Sequence, residues 1–293
     1  MGNRRNDDLR FRYSAFTVMT PDLDLEGAAS TLRSLGYDGV EWRVTEVSRA
    51  PPGRVDFHRG NRATVDASRV LEEAPRVKAL SDRHGLAVPA LGTYLRPGDL
   101  EAIERSMEAA RILGCPQIRV QVPKYDGQRG YNEVFREAVE AYASVEDLAR
   151  RKGVRVNLEI HHGTVCPSAS AAHRFLSHFD SGQVGAIFDP GNMVHEGREN
   201  WQLGLELLGP YLSHVHVKNG LWEVASEEGD GTRRWRPRWC GLREGQVHWG
   251  EVLEALARVG YEGWLSFEDF SEGDTMTKLR QNLAYMKSLE ERL

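Results

Sequence analysis

RKGVRVNLEIHH (151–162) carries, in twelve residues, the parts of a repeating βα unit. Gly153 stands where a helix ends most easily in a left-handed cap, because glycine has no Cβ to clash at positive φ. VRVNL then reads as a buried strand, rich in β-branched side chains. The run ends in a carboxylate, Glu159, with His161 and His162 just beyond it. The same order of helix end, glycine and strand recurs in SLGYDGVEW (34–42), RHGLAVPAL (83–91), ILGCPQIRV (112–120) and VGYEGWLSF (259–267).

Candidate strands fall at 11–18, 38–43, 86–91, 117–122, 154–160, 184–189, 212–218 and 263–268. Helical spacing separates them, as in Leu25, Ala28, Ala29, Leu32 and Leu35, or Val134, Ala138, Ala141, Val145 and Leu148. Met276, Leu279, Leu283 and Met286 repeat the pattern at the end of the chain. Eight strands alternating with helices, without a break in composition, specify an α/β fold of the (β/α)8 class. The expectation is a single-domain TIM barrel over residues 11–293 behind a flexible tail at 1–10. An open doubly wound sheet is the competitor, yet no GxGxxG opens a helix. Two connections are too long for simple turns: 44–65, with Pro51, Pro52 and Gly53, and 219–246, with Trp222, Trp235 and Trp239. They follow the second and seventh strands and lie at the expected mouth, as a lid or as a subunit contact in a homo-oligomer.

In 293 residues, 40% hydrophobic and 28% charged, there is material for an ordinary core, which excludes a wholly disordered chain. No run approaches the roughly 20 apolar residues of a membrane span, and MGNRRNDDLR leads into no signal core, so a cytoplasmic protein is expected. Cys115, Cys166 and Cys240 form no CxxC pair and read as reduced thiols. A net charge of −5 offers no general attraction to phosphate backbones, so neither nucleic acid nor membrane is an expected partner.

Three further strand ends resemble that at Glu159: FDPGN (188–192), HVHVKN (214–219) and LSFEDF (265–270). In a closed parallel barrel Glu159, Asp189, His216 and Glu268 converge at the carboxyl-terminal mouth. Three oxygen ligands and one imidazole suit Mn²⁺ first, with Mg²⁺ or Co²⁺ as alternatives, better than a structural zinc. Burying such carboxylates behind apolar runs without a cation carries a large desolvation cost. His214 alternates onto the same face as His216 and sits one layer deeper, as a partner of the site or a core histidine. Glu41 and Arg43 share a face at the end of the second strand and either meet substrate or pair internally. Arg119 and Gln121 are polar in a run otherwise fit for burial, which implies inward-facing site residues, with Arg119 meeting substrate, or a polar barrel layer, while Tyr13, Phe16 and Trp42 read as core. His248 is read as structural, at the start of a helix.

LEIHHGT, FDPGN, SHVHVKN and GQVHWGEVLEALARVGYEGWLSFED (245–269) together resemble the xylose isomerase-like TIM-barrel superfamily. The likeness is to its sugar-phosphate isomerase/epimerase branch, which includes ketose 3-epimerases and inosose-processing enzymes. It implies Glu159, Asp189, His216 and Glu268 as metal ligands, with Glu159 and Glu268 also catalytic. It further implies a second glutamate six positions after Glu159, where this chain has Val165. His161 and His162 are the nearest substitutes for proton transfer, His161 equally as a hydrogen-bonding support. Asn192 stands where relatives place a substrate-binding histidine, and Lys218 suits a substrate anion or enediolate.

The implied activity is a divalent-metal-dependent isomerase or epimerase of a sugar or keto-sugar, working by α-proton abstraction through a metal-stabilised enediolate. A lyase or dehydratase on a keto-sugar or inosose shares that first step. An apurinic-site endonuclease needs extra histidines that VEWRV, PALGTY, RVQVPK and Asn192 do not supply. A sugar-binding barrel without catalysis is the remaining alternative.

Overall fold

A computed structural model of the chain describes residues 11–47 and 55–293. The tail at 1–10 and the Pro51, Pro52 and Gly53 segment lie outside the described residues. Eleven strands occur within them: β1 (Arg12–Phe16), β2 (Gly39–Thr45), β3 (Thr64–Asp66), β4 (Leu91–Thr93), β5 (Gln117–Arg119), β6 (Arg155–Glu159), β7 (Val184–Phe188), β8 (Leu212–Val217), β9 (Asn219–Glu227), β10 (Arg233–Cys240) and β11 (Trp264–Phe267). Eight of them, β1, β2, β4 to β8 and β11, close a parallel ring. Closure comes at β1, where Ser14 lies opposite Ser266 of β11 and Gly39 of β2. The fold is thus a TIM barrel.

The helices are α1 (Leu25–Leu35), α2 (Val70–Arg83), α3 (Leu100–Leu113), α4 (Tyr131–Lys152), α5 (Ala169–Leu176), α6 (Pro190–His195), α7 (Trp201–Leu208), α8 (Trp249–Arg258) and α9 (Thr275–Glu290). Their ends follow local chemistry. Asp24 caps α1 by accepting from the Gly27 N–H at 2.8 Å, and Gly153 closes α4 at φ 64°. His248 caps α8, accepting from the Glu251 N–H. The last helix locks the ring: Glu290 accepts from the Phe11 N–H and the Tyr13 hydroxyl, each at 2.7 Å. Tyr37 donates to the Leu279 carbonyl from the next layer. Among the described residues, no helix is long and apolar enough to cross a membrane.

Apolar packing fills the space between ring and helices, with Tyr13, Phe16, Trp42 and Tyr142 buried there or at the ring. Polar groups occupy the interior below the mouth. Asn157 donates to Gln117 at 2.8 Å and accepts from Ser213 at 2.6 Å, so these buried groups answer one another.

Three sequence expectations change. The third barrel strand is 91–93, not 86–91; Ala87 makes an isolated bridge to Gly39, and Pro89 has no N–H with which to extend a ladder back to it. The connection after β2 contains β3, which adds to β2 with Arg43 opposite Thr64. The connection after β8 is an antiparallel hairpin, β9 with β10, rather than an irregular loop.

Gly92 permits close packing against Phe16. A Cβ there overlaps the Phe16 ring, which stacks on His216 at a centroid separation of 5.7 Å. Gly92→Ala is expected to destabilise the barrel by about 1–3 kcal/mol, as overpacking does, measured as a lowered urea midpoint with unchanged m-value.

Candidate metal centre and substrate pocket

Four barrel strands deliver four donors to one point. Glu159 ends β6, Asp189 follows β7, His216 lies in β8 and Glu268 follows β11, and a donor atom of each lies within 4.8 Å of all the others. All four are buried, Asp189 and His216 completely. Asp189 has two tasks: Oδ1 caps α6 by accepting from the Asn192 N–H at 2.9 Å, leaving Oδ2 for the site. His216 Nδ1 is 3.1 Å from Glu159 Oε1, 3.6 Å from Glu268 Oε2 and 3.8 Å from Asp189 Oδ2.

Lys218 reaches into the same cluster. Its Nζ is 2.8 Å from Asp189 Oδ2 and 3.6 Å from Glu159 Oε1, and it donates to Glu268 Oε2. Gly191 lets the lysine stem pass, since a Cβ there falls 2.5 Å from Lys218 Cγ. Burial pushes Asp189 up to about 7, against the pull of the Lys218 ammonium. Burial would also raise Glu159, but Arg119 and Lys218 outweigh it and hold that carboxyl well below its usual range. For His216 burial favours the neutral ring, and Glu41 with Glu159 reverses this to hold its pKa well above the ordinary value. Asp189 Oδ2 has the lysine close by yet makes no hydrogen bond of acceptable direction. That oxygen, two further carboxylates and a ring nitrogen fit a divalent cation of the Mn²⁺, Mg²⁺ or Co²⁺ type.

Behind the donors lies a bracing layer. Glu41 Oε2 is 2.9 Å from His214 Nε2, and its Oε1 is 3.2 Å from His216 Nε2. A carboxylate on the far nitrogen of a ligating histidine fixes the ring and raises its basicity. Burial opposes ionisation of Glu41, but His216 and His214 prevail and hold its pKa well below the usual range. Glu41 therefore pairs with histidines and not with Arg43. Arg43 instead donates to Thr64 Oγ1 at 2.6 Å and the His58 carbonyl at 3.2 Å, tying β2 to its long connection. Arg119 donates to Glu159 Oε2 at 2.6 Å, and Asn192 donates to Glu159 Oε1 at 3.2 Å and the Ile160 carbonyl at 3.0 Å.

Above the cluster opens a pocket of about 330 Å³. Glu159, Glu268, Lys218, Arg119, His161 and His162 line it, with aromatic walls that include Trp239, Phe270, Tyr94 and Phe57. Glu41, Arg43 and Asn192 are buried outside this wall. Of the three tryptophans in the connection after β8, Trp239 is in the wall, Trp222 donates to the Val194 carbonyl at 2.8 Å, and Trp235 stands 54% exposed along the hairpin. Val165 is buried in an apolar setting and offers no acid/base group.

Phe57, His58, Tyr94, Phe270 and His195 escaped the sequence reading. Phe270 had a signal, since alternation places it on the face of Glu268. Phe57 and His58 come from an irregular connection and had none. His161 and His162 stack at 4.3 Å, and His195 sits between His162, at 5.2 Å, and Trp239, at 4.0 Å. Burial lowers all three pKa values; His162, also repelled by His161 and His195, falls to about 3.

Fold and cluster define a class: (β/α)8 barrels with a buried carboxylate–histidine cluster at the carboxyl-terminal mouth. The chain belongs to the xylose isomerase-like TIM barrel family, whose profile matches residues 29–289. It is 27% identical over 174 residues to the inosose dehydratase of Serratia proteamaculans, covering 54% of this chain and 57% of that one. The chain thus spans about half the length of the curated relatives it matches. The 3-keto-D-glucoside 4-epimerase of E. coli superposes with a TM-score of 0.71 at 18% identity, over 95% of this chain and 100% of that one. A xylose isomerase-like TIM barrel protein from Mycobacterium smegmatis in complex with magnesium gives 0.66 at 16% identity, over 98% of each. At these identities the structural likeness is one of fold.

Two outcomes are expected. For a divalent cation held at this cluster, tested with Mn²⁺, Glu41→Gln is expected to lower affinity about 10–100-fold in a calorimetric titration, because the His216 ring loses its charged brace. His162, whose native pKa lies under its unfolded value, binds fewer protons folded than unfolded. Its contribution is full above pH ~6.5 and is lost as pH falls toward 3. His162→Phe should therefore flatten the decline in urea midpoint between pH 6.5 and 4.

Proposed function

We propose that this chain is a divalent-metal-dependent isomerase or epimerase that removes the proton beside the carbonyl of a sugar or keto-sugar. The observation that carries the reading is the four-donor cluster, its atoms within 4.8 Å, under a sugar-sized pocket walled by Trp239 and Phe270. Glu159, Asp189, His216 and Glu268 would hold the ion, Mn²⁺ in first place. Such an ion supplies Lewis-acid polarisation of a carbonyl and an adjacent hydroxyl.

The chain's own groups divide the remaining work. Glu159 is committed to Arg119, Asn192 and His216, which suits a ligand more than a mobile base. Glu268 is bound by Lys218 and faces the pocket, so it takes the α-proton. Lys218 and Arg119 place positive charge on the wall for the resulting enediolate. Trp239 and Phe270 offer apolar faces to the C–H side of a sugar ring and exclude water. His161, with Nδ1 at 2.7 Å from the His162 carbonyl, is the second proton-handling group. His162 stays neutral through physiological pH and serves as a hydrogen-bonding wall.

Elimination is the second reading, favoured by the match to inosose dehydratases and by Val165 where a second acid/base glutamate was implied. The endonuclease reading has less support: among the described residues, the two groups able to hold an ion share His216.

Solvent-deuterium wash-in decides among these. With Mn²⁺ present, the protein is expected to exchange the α-proton of D-allulose, a related ketose or an inosose. Deuterium in recovered or epimeric ketose marks isomerisation, and loss of water marks elimination. Glu268→Gln, assayed at Mn²⁺ concentrations raised until the site is loaded by calorimetric titration, should slow exchange about 10²–10⁴-fold. No exchange by the metal-loaded protein across the panel overturns the catalytic reading.

A further inference from the structure

Trp239 and Phe270, with ring centroids 5.9 Å apart, border the metal-side pocket and also a second, larger hollow of about 620 Å³. This outer hollow lies between the end of β10, the loop after β11 and the first turns of α9. We propose that it binds the glycosidic partner of the substrate, so that the ligand is an uncharged glycoside with a second sugar ring rather than a free monosaccharide. The proposal rests on the keto-sugar reading above and names the substrate class for that site.

The two spaces are continuous in their walls. Besides the shared rings, Lys278 of the outer hollow lies 4.8 Å above Phe57, which borders the inner pocket. A ligand ring beside Glu268 and a second ring against Tyr285 would thus share the Trp239 and Phe270 faces.

The outer lining has the chemistry of a carbohydrate subsite. Tyr285 gives a third aromatic ring, steadied by the Arg243 guanidinium 4.1 Å above it. The floor is polar, buried and fixed in place. Lys278 Nζ donates to the carbonyls of Asp269 and Ser271 at 3.2 and 2.9 Å, and Asn282 donates to Asp269 Oδ2 at 2.7 Å. Three basic and four acidic side chains line the hollow, so neither sign of charge prevails. Arg238, moreover, is already paired with Glu223 at 2.8 Å. A phosphate or carboxylate finds no excess of cations there. A neutral ring with hydroxyl edges and C–H faces matches aromatic walls over a hydrogen-bonding floor.

The test is calorimetric titration of the Mn²⁺-loaded protein with methyl glucosides and with glucose disaccharides of both anomeric linkages. A disaccharide is expected to bind about tenfold tighter than the matching methyl glucoside, the order one added aromatic contact provides. Gln281→Trp, a surface change on α9 that fills the outer hollow, should reduce that preference to about twofold or less, as should Tyr285→Ala. Equal affinity for the two ligand types, or a preference that survives Gln281→Trp, overturns the glycoside proposal. In that case, proton exchange on monosaccharides still upholds the keto-sugar reading. Absence of both sugar binding and proton exchange removes the two together.

Discussion

Charge neutralisation in a dry place governs this molecule. Three carboxylates meet at the barrel mouth with almost no access to water, and Coulomb repulsion among them is strong at low effective dielectric. The surrounding structure answers that repulsion. His216 and Lys218 bring positive charge into the cluster, Arg119 grips Glu159 from the side, and Asn192 adds a neutral donor. Remove the compensation, and the acids that the ring brings together repel one another with little water to screen them.

A closed ring makes such convergence reliable. Each parallel strand ends at the same rim, so acids over a hundred positions apart in the chain become neighbours without a special loop. Orientation is enforced from below, where Glu41 links two histidines of β8 to β2 across the interior, and from outside, where Asp189 anchors its own stem as a helix cap. The polar interior deepens the same logic: Gln117, Asn157 and Ser213 form a bonded layer that holds its shape by direction rather than by volume alone.

The sequence discloses much of this and hides a definite remainder. Alternating apolar runs and glycine-ended helices reveal the barrel because both are local signals. Strand ends in an acid or histidine reveal Glu159, Asp189, His216 and Glu268 for the same reason. Glu41 carried no local sign of its task, since its partner His214 lies 173 residues away and only ring closure joins them. Arg43 and Asn192 likewise read as polar residues near a mouth, while their bonds to Thr64 and Glu159 depend on the fold. The hairpin β9–β10 was concealed by its composition. RRWRPRW looks like a loop because charge and a proline interrupt it, yet its arginines pair across the ribbon with Glu223, Glu227 and Glu228.

Lys218 has an implication for the life of the chain before it meets any ion. Small metalloproteins often stay unfolded until their metal arrives, because only the metal can pull mutually repelling ligands together. Here an ammonium just past the end of β8 lies against Asp189 and Glu268 and supplies that attraction from within the chain. A fold whose acids are already neutralised from within does not depend on a cation to hold its strand ends in register.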